Sequence, residues 1–363
     1  MPCIKDDCVY IFREGDGWLF LSTHVDDLFP LFNKEGKAIR DKILKHLGNS
    51  VVVEARGDVS WALSTKIERD PIKGILKISQ EEDVNSLLRE FGLGDVALAS
   101  TPMVDKGGDA EMSDDDLPKT DEEKKSIENF QFRNIIGKIW WLAMISRPDV
   151  TMAVHRCACW QNVPSAKLKR WLIRLVGYLK ATKTLGLCFE RSKYDEKMPL
   201  MGMSDASFAG ELEHKSRYGT LFYSMGALVH WTSSKTSRIV SSTTEAEIHG
   251  LVHLGKENIW EREFHKTLNF LKELPPTVAY QDNQAAIALS KKPTKHKRSK
   301  HFGLEFDMFK EYIQLGEMKI EHMNTDELTA DLLTKPLAVD KFVKFRICMM
   351  GDEDIQSHFI RLK

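Results

Sequence analysis

The sequence predicts an α/β protein. Runs of apolar, β-branched and aromatic residues read as strands near the amino end and again through the second half. Segments with apolar residues at helical spacing lie between and after them. Acidic residues fall at the ends of the expected strands, where an α/β sheet presents its ligands.

Near the amino end, Leu19, Leu21 and Val25 belong to a strand that reaches Asp26 and Asp27, with Leu28 and Phe29 beyond, so two adjacent carboxylates fall on a tight hairpin. Adjacent side chains diverge there, and one would hold a metal more directly than the other. Asp105 to Glu123 contains Gly107, Gly108, Ser113, Asp114, Asp115 and Asp116 and too little apolar content to bury, and reads as a flexible linker. From Phe130 to Leu187, Ile135, Ile139, Leu142, Ala143 and Ile145 form one helical face. Arg147-Pro148-Asp149 breaks that helix and starts another, and Trp171, Leu175, Val176 and Leu179 form a second face. Stripes of this kind pack a core.

Met201 and Met203 lead into Asp205 on a strand that turns back through Tyr218, Phe222 and Tyr223, with a third strand from Ala227 to Trp231. Thr243 and Thr244 are the expected caps of a helix that buries Ile248, Leu251, Val252, Leu254 and Ile259. Thr277 to Tyr280, after Pro275 and Pro276, is a strand with Asp282 at its end, followed by helix-prone Gln284 to Leu289.

Four carboxylates of this half, Asp205, Glu247, Asp282 and Asp331, stand in separate settings. About that many anionic ligands hold two divalent ions on a phosphodiester, and a nuclease is the expected chemistry. Glu245 and Glu247 diverge by about 200° on a helix and cannot both serve one site. Glu247 shares a face with Leu251 and Leu254 toward the sheet, whereas Glu245 suits the helix start, where acids complement the dipole.

The motifs SDASFAG, SSTTEAEIHGL, DNQAAIALS, KHKRSKHF and TADLLTKPL, in that order, resemble the ribonuclease H domain of Ty1/copia-type retrotransposon Pol polyproteins. Upstream, HVDDLF resembles the second aspartate motif of the matching reverse transcriptase, and STPM the segment after its palm and thumb. FRNIIGKIWWLAMISRPDVTMAV and GYLKATKTLGLCF resemble the helical connection before the nuclease.

The resemblance implies a partial palm and thumb over 1–104, the acidic linker over 105–129, the connection over 130–198, a ribonuclease H-like domain over 199–340 and a tail over 341–363. The nuclease sheet would be mixed and five-stranded with flanking helices. Its implied reaction is hydrolysis of the RNA strand of an RNA:DNA hybrid by in-line attack of water, with Asp205, Glu247, Asp282 and Asp331 holding two Mg²⁺ or Mn²⁺ ions. Hybrid shape and 2′-hydroxyls, rather than base identity, would select the substrate. Asp26 and Asp27 match the paired aspartates of the polymerase. The family's further aspartate lies upstream of that hairpin, and WALSTK at Trp61 to Lys66 replaces a more usual FLG-type sequence, so polymerase activity is expected to be lost by truncation. The competing reading is a retroelement remnant that binds nucleic acid or protein without catalysis. Other parts of a Pol polyprotein are expected partners.

A formal net charge of -1 conceals local asymmetry, because the acidic linker offsets the basic run from Lys291 to Lys300. Lys295, Lys297, Arg298 and Lys300 are the candidates for neutralising phosphates. His296, His301 and His322 are candidates for proton transfer to the leaving group. The six cysteines lack paired metal-ligand spacing and point to reduced thiols in an intracellular protein. No apolar run approaches a membrane span.

Overall fold

A computed structural model describes residues 3, 6–107, 112–210, 214–271, 273–292 and 303–351. The chain divides into two compact units, 1–59 with 256–274, and 60–255 with 275–363.

In the first unit, β1 (Val9–Glu14), β2 (Gly17–His24) and β3 (Asp27–Phe32) form an antiparallel meander in the order β1-β2-β3, followed by α1 (Lys37–Leu47). Cys3, Ile11 and Phe20 are its buried cluster, with Phe264 and Leu268 packed against them. The expected hairpin at the acidic pair is present. His24 pairs with Asp27 across a two-residue turn of Val25 and Asp26, in which Val25 has φ +52° and is solvent-exposed. A β-branched residue is strained in that region, at a cost of order 1–3 kcal/mol. Pro30 lies in the edge strand β3, where it removes a ladder donor and discourages further pairing.

The second unit opens with β4 (Trp61–Ala62), β5 (Thr65–Asp70) and β6 (Ile75–Ser79), so the WALSTK segment is a short hairpin. Next come α2 (Glu81–Glu90), α3 (Asp121–Ile127), α4 (Phe132–Ile145), α5 (Thr151–Cys159) and α6 (Ala166–Ala181). Strand β7 (Gly186–Glu190) returns to pair with β6 and completes a four-stranded antiparallel sheet, β4-β5-β6-β7. The remaining elements are β8 (Leu200–Ser207), β9 (Arg217–Ser224), β10 (Ala227–Lys235), α7 (Thr243–Leu268), β11 (Thr277–Gln281), α8 (Gln284–Lys291), α9 (Gly303–Gln314), β12 (Met318–His322) and α10 (Val339–Met350). They build a mixed five-stranded sheet in the order β10-β9-β8-β11-β12. Its β8, β9 and β10 are antiparallel, and β11 runs parallel to both β8 and β12.

The compact units depart from the expected segments. Pairing of β6 with β7 ties the stretch after residue 60 to the helical connection, and one hydrophobic cluster runs from Val84 and Leu87 through Ile139 and Leu175 to Leu221 and Phe345. A shared core holds these segments together, whereas the break falls after residue 59. The expected flexible linker, 105–129, contains α3. Thr120 and Glu123 form a reciprocal capping box there, and Ile127 is buried. The expected tail, 341–363, begins inside α10, which buries Phe342, Phe345, Arg346, Met349 and Met350. Ser242, rather than Thr243 or Thr244, caps α7 through its hydroxyl on the Glu245 N–H, 3.1 Å.

Where α4 gives way to α5, a short 3-10 helix (Pro148–Val150) carries a buried ionic cluster. Arg147 donates to both Asp149 carboxylate oxygens, 2.9 and 2.8 Å, and to the Thr182 carbonyl, 2.9 Å. The Tyr178 hydroxyl donates to Asp149, 2.5 Å, and accepts from Arg346, 3.1 Å. Burial works against the Asp149 carboxylate, but Arg147, Tyr178 and Arg346 outweigh it and hold the group below the usual range.

Candidate metal centre

Asp205 lies on β8, the middle strand of the five, opposite Gly219 of β9. A Cβ at Gly219 would lie 2.6 Å from the Leu333 Cβ, so glycine there lets the 3-10 helix Thr329–Leu333 approach the sheet beside Asp205. Gly250 has the same effect on the other component: a side chain there would collide with Ser204, and its absence allows α7 to lie close against β8.

That approach brings Glu247 to the sheet. One carboxylate oxygen each from Asp205, Glu247 and Asp282 lies within 4.8 Å of the others. Asp205 and Glu247 are buried and Asp282 is half-buried. Gln281, at the end of β11, is fully buried and holds two of them. Its amide donates to Glu247, 3.1 Å, and its carbonyl accepts from the Asp282 and Asn283 N–H groups, 2.7 and 3.0 Å. Thr325 donates to Asp282, 2.7 Å. Asn283 accepts from the Ala286 N–H, 2.9 Å, and so caps α8 directly after the acid.

Asp331 is placed differently. It is fully buried, and its two oxygens face Lys335 and Lys341, at 2.8 and 2.9 Å. Lys335 also lies 3.8 Å from Asp205, whose carboxylate accepts from the Thr334 hydroxyl. Among the described residues, the group with metal-ligand spacing contains Asp205, Glu247 and Asp282, and Asp331 adjoins it through Lys335. Glu245 points elsewhere, accepting from the Ser241 N–H, 2.7 Å, and from Arg238, 3.1 Å.

Asp26 and Asp27 are exposed on the hairpin turn of the first unit. His322 is exposed at the end of β12, in register with Gln281. Lys295, Lys297, Arg298 and Lys300, with His296 and His301, lie outside the described residues. Sequence reasoning missed Gln281, Thr334 and Lys335. Their only signal was position, beside Asp282 and inside TADLLTKPL.

The donor set suits a hard divalent cation: carboxylate oxygens converge from three elements. Burial, then repulsion from Asp331 and Asp282, pushes the Asp205 carboxyl up to about 7 despite Lys335 and Thr334. Burial, then Asp205 and Asp282, pushes Glu247 up to about 9 against the Gln281 hydrogen bond. These shifts set a sign for stability. With folded values above unfolded ones, the contribution of both groups is intact below about pH 4 and is lost as pH rises toward about 9. The metal-free chain should therefore lose thermal stability across that window, and millimolar Mg²⁺ should flatten the loss, because binding displaces the protons. Melting curves from pH 5 to 9 with EDTA or Mg²⁺ measure this; identical slopes would remove the cluster as a metal centre.

Fold and site together define an α/β protein with a cluster of three convergent carboxylates on a mixed sheet. The chain is 30% identical over 344 residues to the retrovirus-related Pol polyprotein from transposon TNT 1-94 of Nicotiana tabacum, a match covering 93% of this chain and 25% of that protein. It is 27% identical over 343 residues to the corresponding polyprotein from transposon RE2 of Arabidopsis thaliana, covering 94% of this chain and 22% of the relative. Over nearly its whole length the chain is thus similar to Ty1/copia-type retrotransposon Pol polyproteins, and it spans about a quarter of the length of these relatives. No protein-family model matches it. Among solved structures it is similar to the N-terminal RNase H domain of rv2228c from Mycobacterium tuberculosis, 14% identical, with 40% of this chain and 96% of that one covered at a TM-score of 0.27. Among the described residues, no helix is long and apolar enough to cross a membrane.

Proposed function

We propose that the second unit is a divalent-metal-dependent nuclease that hydrolyses the RNA strand of RNA:DNA hybrids. The observation that carries this reading is the convergence of Asp205, Glu247 and Asp282. A divalent cation held there would supply Lewis-acid activation of water and stabilisation of the leaving oxygen. The chain's own residues orient and charge the site. Gln281 fixes the Glu247 carboxylate and the backbone at Asp282, and Thr334 fixes Asp205. Glu247, which burial and its acidic neighbours keep protonated, would release that proton when a cation binds, adding a negative ligand charge that the cation offsets. The expected count of two ions uses Asp331 as a ligand and requires it to exchange Lys335 for metal.

In the same reading Asp26 and Asp27 are the remnant of the paired acids of a reverse transcriptase. The test of the nuclease is incubation of the purified chain with labelled hybrid or duplex DNA in Mg²⁺ or Mn²⁺. RNA-strand cleavage with intact duplex DNA is expected; a folded chain that cuts no hybrid in either metal overturns the proposal.

The basic run gives a separate expectation. Reversing charge at Lys295, Lys297, Arg298 and Lys300 should weaken hybrid binding and flatten its salt dependence, with a slope change of about 0.7–0.9 for each phosphate no longer neutralised. Binding isotherms between 50 and about 200 mM salt would show an unchanged slope if these residues do not touch the backbone.

A further inference from the structure

The ammonium of Lys335 lies between two acids, 2.8 Å from Asp331 and 3.8 Å from Asp205. Its side chain is 39% exposed, whereas both acids are buried. The ion pair is locally encoded: Lys335 follows Asp331 by four residues where the 3-10 helix Thr329–Leu333 ends, and its N–H donates to the Asp331 carbonyl, 3.2 Å. Thr334, the residue directly before it, donates from its hydroxyl to Asp205. Consecutive side chains thus grip the two acids.

The second oxygen of Asp331 is also taken. Lys341 of α10 approaches it at 2.9 Å while donating to the Thr325 carbonyl, 3.2 Å, and lying over the Phe345 ring, 5.1 Å from its centroid. With Lys341 hydrogen-bonded to one oxygen and the Lys335 ammonium ion-paired with the other, which accepts no hydrogen bond, the charge of the carboxylate is largely offset in place. It has little residual charge to offer a second divalent ion, and releasing either lysine would leave a buried charge short of a partner. Asp205, by contrast, has Glu247 and Asp282 beside it as co-ligands.

We propose that Lys335 supplies the second positive charge of this centre, so that the Asp205–Glu247–Asp282 cluster holds one divalent ion and the lysine, positioned by Asp331, faces the phosphate of the substrate. The inference rests on the nuclease reading and deepens it. Asp331 is then a positioning residue rather than a ligand, and its burial serves to aim an ammonium whose partial exposure leaves it open to an anionic oxygen. An ammonium donates charge-assisted hydrogen bonds to a phosphate oxygen without requiring a ligand shell.

Metal stoichiometry decides between this arrangement and two ions. Calorimetric titration of the full chain with Mn²⁺ should give one tight site in the wild type and one in Asp331→Asn. Lys335→Ala should gain a second site, because one oxygen of Asp331 is freed. If Asp331 is a ligand of a second ion, the wild type takes two and Asp331→Asn takes one, which overturns the inference and leaves the nuclease standing. No site in a folded wild type removes the metal centre itself. Binding of uncleaved hybrid in Ca²⁺ adds a readout independent of turnover. Lys335→Ala should weaken it about tenfold and Lys335→Arg should restore most of it; equal binding by all three proteins would show that Lys335 does not face the phosphate.

Discussion

Asp205→Asn and Asp282→Asn are each expected to reduce cleavage of an RNA:DNA hybrid by about a thousandfold or more, with the fold intact. Each removes a negative charge from the three-acid cluster at nearly constant volume. A cation contributes several kcal/mol of transition-state stabilisation, and about 4 kcal/mol corresponds to roughly a thousandfold in rate. The two variants should differ in stability. Asp205 is 2% exposed and carries the repulsion of its neighbours, so the amide should leave the metal-free protein at least as stable at pH 8, where the acid is ionised. Asp282 lies nearer solvent and accepts from Thr325, a hydrogen bond that the amide oxygen of asparagine can keep, so its replacement should be close to neutral. Rates under single-turnover conditions, with circular dichroism as the fold control, make the measurement. A variant cleaving within tenfold of the wild type would remove its acid from the reaction.

The five-stranded sheet and its three convergent acids were legible because local pattern and tertiary role coincide there. Met201 and Met203 before Asp205, the apolar face of α7 behind Glu247, and the β-branched run before Asp282 each identify an element and the end at which its acid falls. The helical angle, together with the apolar face that Glu247 shares with Leu251 and Leu254, separated Glu247 from Glu245, and the hydrogen bonds of Glu245 to Ser241 and Arg238 explain its separate role. What could not be read depended on pairings distant in sequence. Nothing local in Ile75–Ser79 announces pairing with Gly186–Glu190, yet that ladder merges two expected segments into one unit. The acidic linker hid a helix because composition outweighed the capping pattern of Thr120 and Glu123, a signal that was present in the sequence. Asp331 matched its motif, but the motif does not say that Lys335 and Lys341 will occupy both of its oxygens.

Asp149→Ala should destabilise the second unit by about 3–5 kcal/mol, the cost of removing one partner from a buried ion pair. The carboxylate is fully buried and accepts two hydrogen bonds from Arg147 and one from Tyr178, with Arg346 beyond. Its removal leaves two buried guanidinium groups without their shared counter-charge, and Arg147 cannot relocate freely because it also donates to the Thr182 carbonyl and hydroxyl. At about 2–4 °C per kcal/mol for a unit of this size, the melting temperature should fall by roughly 10 °C. Loss of charge balance rather than volume should dominate, since a buried pair replaced whole by apolar groups is often neutral. The double variant Arg147→Met with Asp149→Leu should therefore recover part of the stability that Asp149→Ala forfeits. If the double variant is the less stable of the two, the cluster acts through its specific hydrogen bonds to Thr182 and Tyr178, and the charge-balance account fails. The cluster joins the 3-10 helix Pro148–Val150, α6 and α10, so the unfolding transition should shift as a whole rather than split.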